Sequence, residues 1–324
     1  MHKTPRRFLS CDWGTSFFRL RLVQTDTLAA IAEESSNQGV AGVFNSWQQQ
    51  PGADRLSFYL AIIGAHIARL EQALHVSLKY MPVLVSGMAS STIGMIEIAY
   101  KEMPFHVDGS DLIVKKIEAS PAFLHDLYVI SGVRNDSDVM RGEETQLVGC
   151  ISTATLQKQL VILPGTHSKH IILEKSRAVS FQTYMTGEFF ELLSQKSILS
   201  VSVEKGAGIQ EERNRQSFEA GVADSKRFNL LHGCFRVRTN SLFKRMDRQQ
   251  NYYYLSGLLI GSELQHLASG ERLPVTLVSN AVLHPFYTEA LRLLLPGITI
   301  TMKSVEEAII KGQFRVYSLF AKKT

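Results

Sequence analysis

The chain has 324 residues, enough for two domains or one large one with an ample core. A hydrophobic share of 45% with 20% charged residues excludes a disordered chain, and no apolar run nears the roughly 20 residues that a membrane span needs. The formal charge of +5 favours anionic ligands, yet the basic residues are dispersed and form no aromatic-interleaved stripe, which argues against nucleic acid as a partner.

From Phe8 the pattern predicts a short strand, the turn DWGTS, and a second strand, FRLRLV. In the latter Phe18, Leu20 and Leu22 share a buried face, while Arg19 and Arg21 share a polar, solvated one. SFYLAIIGAHIARLEQALHVSL, from Ser57, has helical spacing, and MPVLVSGMASS gives a buried strand ending at Gly87. LYVISGV, around Ile130, repeats the strand-to-glycine form. In MRGEETQLVGCISTATL two glutamates open an amphipathic helix that buries Leu147, Val148 and Ile151. QLVILPGTHSKHIIL is again strand, tight turn and strand. Helices follow from Thr186, near SFEAGVADSK, and over YYYLSGLLIGSELQHLAS; next come a strand in LPVTLVS, a helix near His284–Pro285, the strand ITITMKS and the helix VEEAIIKG. Gly14–Thr15 and Gly165–Thr166 lie 151 positions apart, close to half the chain. Two related halves are therefore expected, 1–153 and 154–324, each α/β with a mixed sheet that begins with a hairpin.

A turn rich in glycine and hydroxyls can aim backbone N–H groups at one phosphate oxygen. Gly14 and Gly165 would let the backbone approach the ligand, and Thr15, Ser16, Thr166 and Ser168 supply hydroxyls. Asp12 offers a carboxylate suited to hold Mg²⁺ through its waters. One such turn alone reads equally as an ordinary β-turn; the pair is the stronger signal. A phosphoryl acceptor also needs an acid at a helix start to orient its hydroxyl, and Glu143 and Glu144 follow Gly142 there. Adjacent helical residues point about 100° apart, so one of them is expected to face the substrate and the other to be structural. Their plain structural reading, acids favoured in a helix's first turn, also stands.

DWGTS, MRGEETQL, PGTHSKH, MTGEFFELL and LSGLLIGSEL, in this order and spacing, resemble the 2-keto-3-deoxygalactonate kinase (2-dehydro-3-deoxygalactonokinase) family across essentially the whole chain. That family is a branch of the sugar kinase, hexokinase and actin superfamily. The resemblance implies an actin-like ATPase fold, in which two RNase H-like domains clasp ATP across a cleft. It also implies ATP and Mg²⁺ as cofactors and transfer of a phosphoryl group to the 6-hydroxyl of 2-keto-3-deoxygalactonate in galactonate breakdown. By matched position it assigns Asp12, Gly14, Thr15 and Ser16 to the first phosphate loop and Gly165, Thr166 and His167 to the second. Arg19 resembles an arginine that follows the first loop in relatives, and a solvated strand role stands beside that reading. Gly142–Glu143 resembles a Gly-Asp step that carries the base, so Glu143 is preferred over Glu144.

The implied sugar acid carries a carboxylate, for which Arg141 offers a planar fork and Lys169 a second cation, the latter equally suited to the nucleotide phosphates. GMASSTIG resembles the family's sugar loop, with Gly87, Ser90 and Ser91 as candidates. One stretch departs from the family: Ser279-Asn280-Ala281 stands where a glycine-containing adenosine loop is usual, leaving Asn280 to bond a ribose or to cap the next helix. Gly257 and Gly261 point either to the nucleotide or to close helix packing. A kinase of another sugar acid or hexose, or a sugar-acid-binding member without catalysis, remains open at this point. Cys11, Cys150 and Cys234 lack any Cys-x-x-Cys pair, which argues against a disulfide frame or zinc site and for the cytoplasm. The partners expected are a small sugar acid and ATP, with no membrane and with a homodimer left open.

Overall fold

The computed structural model describes residues 5–151 and 157–323. The chain divides into two compact units: Met1–Gln157 with Leu173–Ser180 and Val305–Thr324, and Lys158–Ile172 with Phe181–Ser304. The expected boundary between 153 and 154, and the end of the ISTATL stretch, lie outside the described residues.

In the first unit β1 (Arg7–Trp13) and β2 (Phe18–Gln24) form the expected hairpin, followed by β3 (Ala30–Ser36), α1 (Val40–Gln48), α2 (Arg55–Leu74) and β4 (Val83–Gly87). Next come the short strands β5 (Lys101–Glu102) and β6 (Phe105–His106), then β7 (Val114–Ile117), β8 (Leu127–Ile130), β9 (Val133–Arg134), β10 (Val139–Met140) and α3 (Glu143–Cys150). The main sheet runs β3-β2-β1-β4-β8-β7. β1 pairs antiparallel with β2 and parallel with β4, which in turn pairs parallel with β8. The alternation of β1 explains the two layers that cover it. Leu9, Cys11 and Trp13 pack with Phe18, Leu20, Val83 and Val85 against Val40, Tyr59, Ile63 and Ile67 of α1 and α2.

The other face carries Phe8, Val23 and Leu84, packed on Ile310. Arg21 lies on this same face, opposite Ser10 in the antiparallel register. It is 2% exposed, with its Nε donating to Glu33 Oε2 at 2.7 Å. The expectation of a solvated Arg21 is thus corrected: the face is polar in sequence, but a layer from the far end of the chain covers it.

The second unit contains β11 (Gln159–Leu163), β12 (Ser168–Glu174) up to Ile172, β13 (Arg177–Tyr184) from Phe181, α4 (Thr186–Glu191), α5 (Glu212–Ser225), α6 (Leu230–Leu242), α7 (Arg248–Leu264), β14 (Val275–Ser279), α8 (His284–Leu294) and β15 (Ile300–Ser304), while the ends of β12 and β13 that meet at Leu173–Ser180 belong to the first. Its strands follow the order β15-β14-β11-β12-β13, with β14 parallel to both β11 and β15. Position for position, this is the order β8-β4-β1-β2-β3 of the first unit. The last helix, α9 (Val305–Lys323), belongs to the first unit, where Gly149 and Gly312 let α3 and α9 approach backbone to backbone.

α7 is buried nearly all round and begins with a capping box in which Asp247 and Gln250 satisfy each other's backbone N–H. A Cβ at Gly257 would meet Phe218 O at 2.0 Å and one at Gly261 would meet Ser225 Oγ at 2.5 Å, so this glycine face serves close packing on α5. Of the three consecutive tyrosines, Tyr253 and Tyr254 are buried and Tyr252 is half-buried. Among the described residues no helix is long and apolar enough to cross a membrane.

Candidate active site

The first turn is held from behind. Gly14 N donates to Phe17 O at 2.9 Å, closing the turn, while the carbonyls of Gly14 and Thr15 accept from Val40 N and Ala41 N at 3.0 and 3.1 Å. Those carbonyls satisfy the first free N–H groups of α1, which has no side-chain cap. Gly39 makes the fit possible, because a Cβ there would lie 2.3 Å from Thr15 O. Thr15 and Ser16 are left exposed at the surface of the unit.

Three chain segments converge behind this turn. Gly87, at the end of β4, has φ 91° and sits where a Cβ would meet Trp13 O at 2.6 Å. Gly142, with φ 113°, packs against Gly87, since a Cβ there would lie 3.3 Å from Gly87 Cα. Both positions need glycine for backbone angle and for space. Their contact brings Asp12, at the end of β1, near Glu143, at the start of α3, close enough for the Glu143 charge to act on Asp12. The Asp12 side chain is a quarter exposed and lies 4.0 Å from Arg19, its cross-strand partner, which also reaches Glu33 at 3.5 Å. Burial lifts the Asp12 pKa above its ordinary value; Arg19 and Arg21 offset part of this rise, and Glu143 and Glu306 add to it.

The two adjacent glutamates have different surroundings. Glu143 is partly exposed and accepts from Arg141 N at 2.9 Å. Glu144 is fully buried, accepts from Gly142 N at 2.7 Å and from Thr145 Oγ1 at 2.9 Å, and burial beside Glu143 pushes its pKa up to about 7. Arg141 donates from Nη1 to Ser90 O and Oγ at 2.6 and 2.7 Å and stacks over the Tyr100 ring at 4.1 Å. Ser90 is fully buried and Ser91, 4% exposed, donates to Met88 O at 2.7 Å. Both serines therefore shape the turn after Gly87 rather than present free hydroxyls. Among the described residues no three His, Cys, Asp or Glu side chains cluster as a metal cage. The partly exposed carboxylates of this corner, on Asp12 and Glu143, would suit a Mg²⁺ that keeps most of its waters rather than a protein cage.

The second turn is built in the same way. Thr166 O accepts from Glu188 N at 3.1 Å in the first turn of α4, and Gly187 presses on the turn, where a Cβ would meet Gly165 O at 2.5 Å. Gly165 itself faces open space. His167 Nε2 pairs with Glu188 Oε2 at 2.5 Å on the surface. Lys169 is 3% exposed and donates to His167 O at 2.9 Å, so its ammonium braces the turn from inside.

Gly165 and Thr166 border a cavity of about 590 Å³ within the second unit, a volume that suits a nucleotide-sized ligand. Its walls include Gly187, Tyr253, Asn280 and Phe286. Asn280 Oδ1 accepts from Val282 N and Leu283 N at 3.1 and 2.9 Å, which makes it the cap of the following turn as well as a wall residue. A segment that the sequence reading passed over, Lys205-Gly206-Ala207-Gly208, also lines the cavity. Its signal was the glycine pair, which no regular spacing tied to the other motifs. The packing glycines Gly39 and Gly187 were likewise missed, although each stands beside a helix start.

The structure thus gathers Asp12, Gly14, Thr15, Ser16, Arg19, Gly87, Ser90, Arg141, Glu143 and Glu144 in one region of the first unit. In the second it places Gly165, Thr166 and Asn280 in the wall of one cavity, while His167 and Lys169 follow the turn outside that wall.

The model of the 2-keto-3-deoxy-galactonokinase family matches residues 12–316. A Rhizobium meliloti (strain 1021) protein named "Probable 2-dehydro-3-deoxygalactonokinase DgoK1" is 30% identical over 95% of this chain and 96% of its own. The Escherichia coli (strain K12) 2-dehydro-3-deoxygalactonokinase is 28% identical over 94% and 96%. A solved Sinorhizobium meliloti protein, provisionally named as the same kinase, superposes with a TM-score of 0.76 at 27% identity, over 96% of this chain and 95% of its own. A Clostridium difficile activator of 2-hydroxyisocaproyl-CoA dehydratase, solved with bound ADPNP, covers 98% of this chain and 96% of its own at TM-score 0.50 and 11% identity, a likeness of fold alone. With two units of matching strand order, the fold is that of the actin-like ATPases. Joined to the paired Gly-Thr turns and the acid pair of α3, the match across residues 12–316 makes this chain a member of the 2-keto-3-deoxy-galactonokinase family.

Proposed function

We propose that this enzyme is an ATP-dependent 2-dehydro-3-deoxygalactonokinase that transfers the γ-phosphoryl group of ATP to the 6-hydroxyl of its sugar acid. The observation that carries the reading is the cavity walled by the Gly165–Thr166 turn, which joins a phosphate-type turn to a nucleotide-sized space. The phosphates of ATP lie at Gly165 and Thr166, and the adenosine lies toward Asn280 and Phe286. The small residues of Ser279-Asn280-Ala281 still leave that space open, so the departure from the family's glycine loop does not remove it. Support for kinase activity comes from the family and from the named relatives.

In the reaction the 6-hydroxyl oxygen forms a bond to the γ-phosphorus, the bond from that phosphorus to the bridging oxygen breaks, and ADP leaves. Glu143 orients the hydroxyl and takes its proton; it is chosen because its carboxylate is accessible while that of Glu144 is sealed. Gly14, Thr15 and Ser16 bind phosphate oxygens, and Arg19 adds a positive charge beside them. Asp12 would hold Mg²⁺ through its waters, and the ion would supply positive charge against the phosphates. Arg141 serves the sugar carboxylate from the Gly87–Ser91 turn that it braces. We assign the reaction to galactonate breakdown in the cytoplasm, on the strength of the substrate. Incubation with Mg–ATP and 2-dehydro-3-deoxygalactonate, with phosphorus and carbon NMR of the product, should place the new phosphate on carbon 6. A phosphate on any other carbon contradicts the assignment.

A further inference from the structure

We propose that Glu263 is a positioning residue for the nucleotide end of the site, holding the second Gly-Thr turn and the start of α4 in register. This rests on reading the cavity of the second unit as the ATP site.

Glu263 lies near the end of α7, and its side chain is 1% exposed. Its Oε1 accepts from Ser168 Oγ at 2.7 Å and His170 Nε2 at 2.9 Å. Its Oε2 accepts from Thr186 Oγ1 at 2.5 Å and Tyr287 Oη at 2.7 Å. Four donors from β12, α4 and α8 thus fill the four lone-pair positions of one carboxylate. Burial works to raise the pKa of this group, but the hydrogen bond and charge of His170, with the hydrogen bonds from Thr186 and Ser168, outweigh it and bring the carboxyl below its ordinary value. An ionised acid in this place is costly unless every partner is present.

The partners are those that set the cavity wall. Ser168 follows directly on the Gly165–His167 turn, Thr186 opens α4, and both Thr186 and Tyr287 line the cavity. Gly187, next to Thr186, is the residue pressed on Gly165, and Glu188 N bonds Thr166 O. A small movement of Thr186 therefore moves the phosphate turn. An apolar residue in place of Glu263 could fill the volume, but it would leave the Ser168, Thr186 and Tyr287 hydroxyls unpaired and the turn unregistered.

The test uses the full chain. Mg–ATP binding is measured by calorimetry for the unsubstituted protein and Glu263→Gln, and steady-state kinetics are run with both substrates. Glu263→Gln keeps the shape but turns one acceptor oxygen into a donor that faces two donors. Kd and KM for ATP should rise about tenfold or more, the size expected for losing hydrogen bonds to a charged acceptor, while KM for the sugar acid is unchanged and kcat falls less than KM rises. An unsubstituted chain that binds no Mg–ATP overturns the reading of the cavity itself. Normal binding there together with equally tight binding by folded Glu263→Gln, or a parallel rise of both KM values, overturns the positioning role alone. Should Glu263→Gln fail to fold, Ser168→Ala removes one donor outside the cavity lining. It should give a smaller rise confined to the ATP KM, and an unchanged value rejects the proposal.

Discussion

Glu143 and Glu144 show how one peptide bond can separate two surroundings. Helical geometry turns the first toward solvent and the second into the unit, where Gly142 N and Thr145 hold it. Glu143→Gln should lower turnover by about 10²–10⁴ with the thermal transition intact, the range of a general base. If Glu144→Gln shows that loss and Glu143→Gln does not, the roles are reversed. The Glu144 carboxyl, at about 7, sits above its ordinary value, so protonation favours the folded state. Stability from this group is fully present below about pH 4.5 and is lost as pH rises through 7, a swing of at most roughly 3 kcal/mol. Urea midpoints from pH 5 to 8 should fall in the unsubstituted chain and fall less in Glu144→Gln; parallel curves would refute the linkage. Asp12→Asn should raise the Mg²⁺ concentration needed for half-maximal activity, and an unchanged Mg²⁺ dependence removes its role. That the two acids differ in exposure was legible from the helix period. The burial of Arg21 was not, because the layer on its face ends in Ile310 and its neighbours, far along the chain.

Among the elements, α1 and α4 perform one task in two places. Each begins with N–H groups that bond carbonyls of a Gly-Thr turn, and each needs a glycine, Gly39 or Gly187, pressed on that turn. Gly187→Ala places a methyl carbon 2.5 Å from Gly165 O, inside van der Waals contact, so the turn or the helix has to move. We expect a stability loss of about 1–3 kcal/mol, as for overpacking, and weaker ATP binding, read by thermal denaturation and calorimetry. Unchanged ATP affinity would show that the turn tolerates the shift. The hairpins and the helices with clean apolar stripes were readable in the sequence. α6 was missed because Leu231, Phe235 and Leu242 are exposed, so its apolar residues do not mark one buried face. The wall from Lys205 to Gly208 was missed because a loop carries no period.

For the molecule as a whole, the repeat of strand order β8-β4-β1-β2-β3 in β15-β14-β11-β12-β13 gives physical form to the spacing of the two Gly-Thr turns. The sequence held that duplication in a handful of residues, and it showed nothing of α9 joining the first unit, since such a return depends on contacts such as Gly312 against Thr145 O. By its family the protein is a kinase that acts on a deoxy keto sugar acid. The most direct test is a screen of the full chain with Mg–ATP against 2-dehydro-3-deoxygalactonate, other sugar acids and neutral hexoses, with ADP and phosphorylated sugar measured together. We predict the highest kcat/KM for 2-dehydro-3-deoxygalactonate, with one ADP formed per sugar acid phosphorylated. A clear preference for a neutral hexose, or ADP formed without a phosphorylated sugar acid, would contradict it.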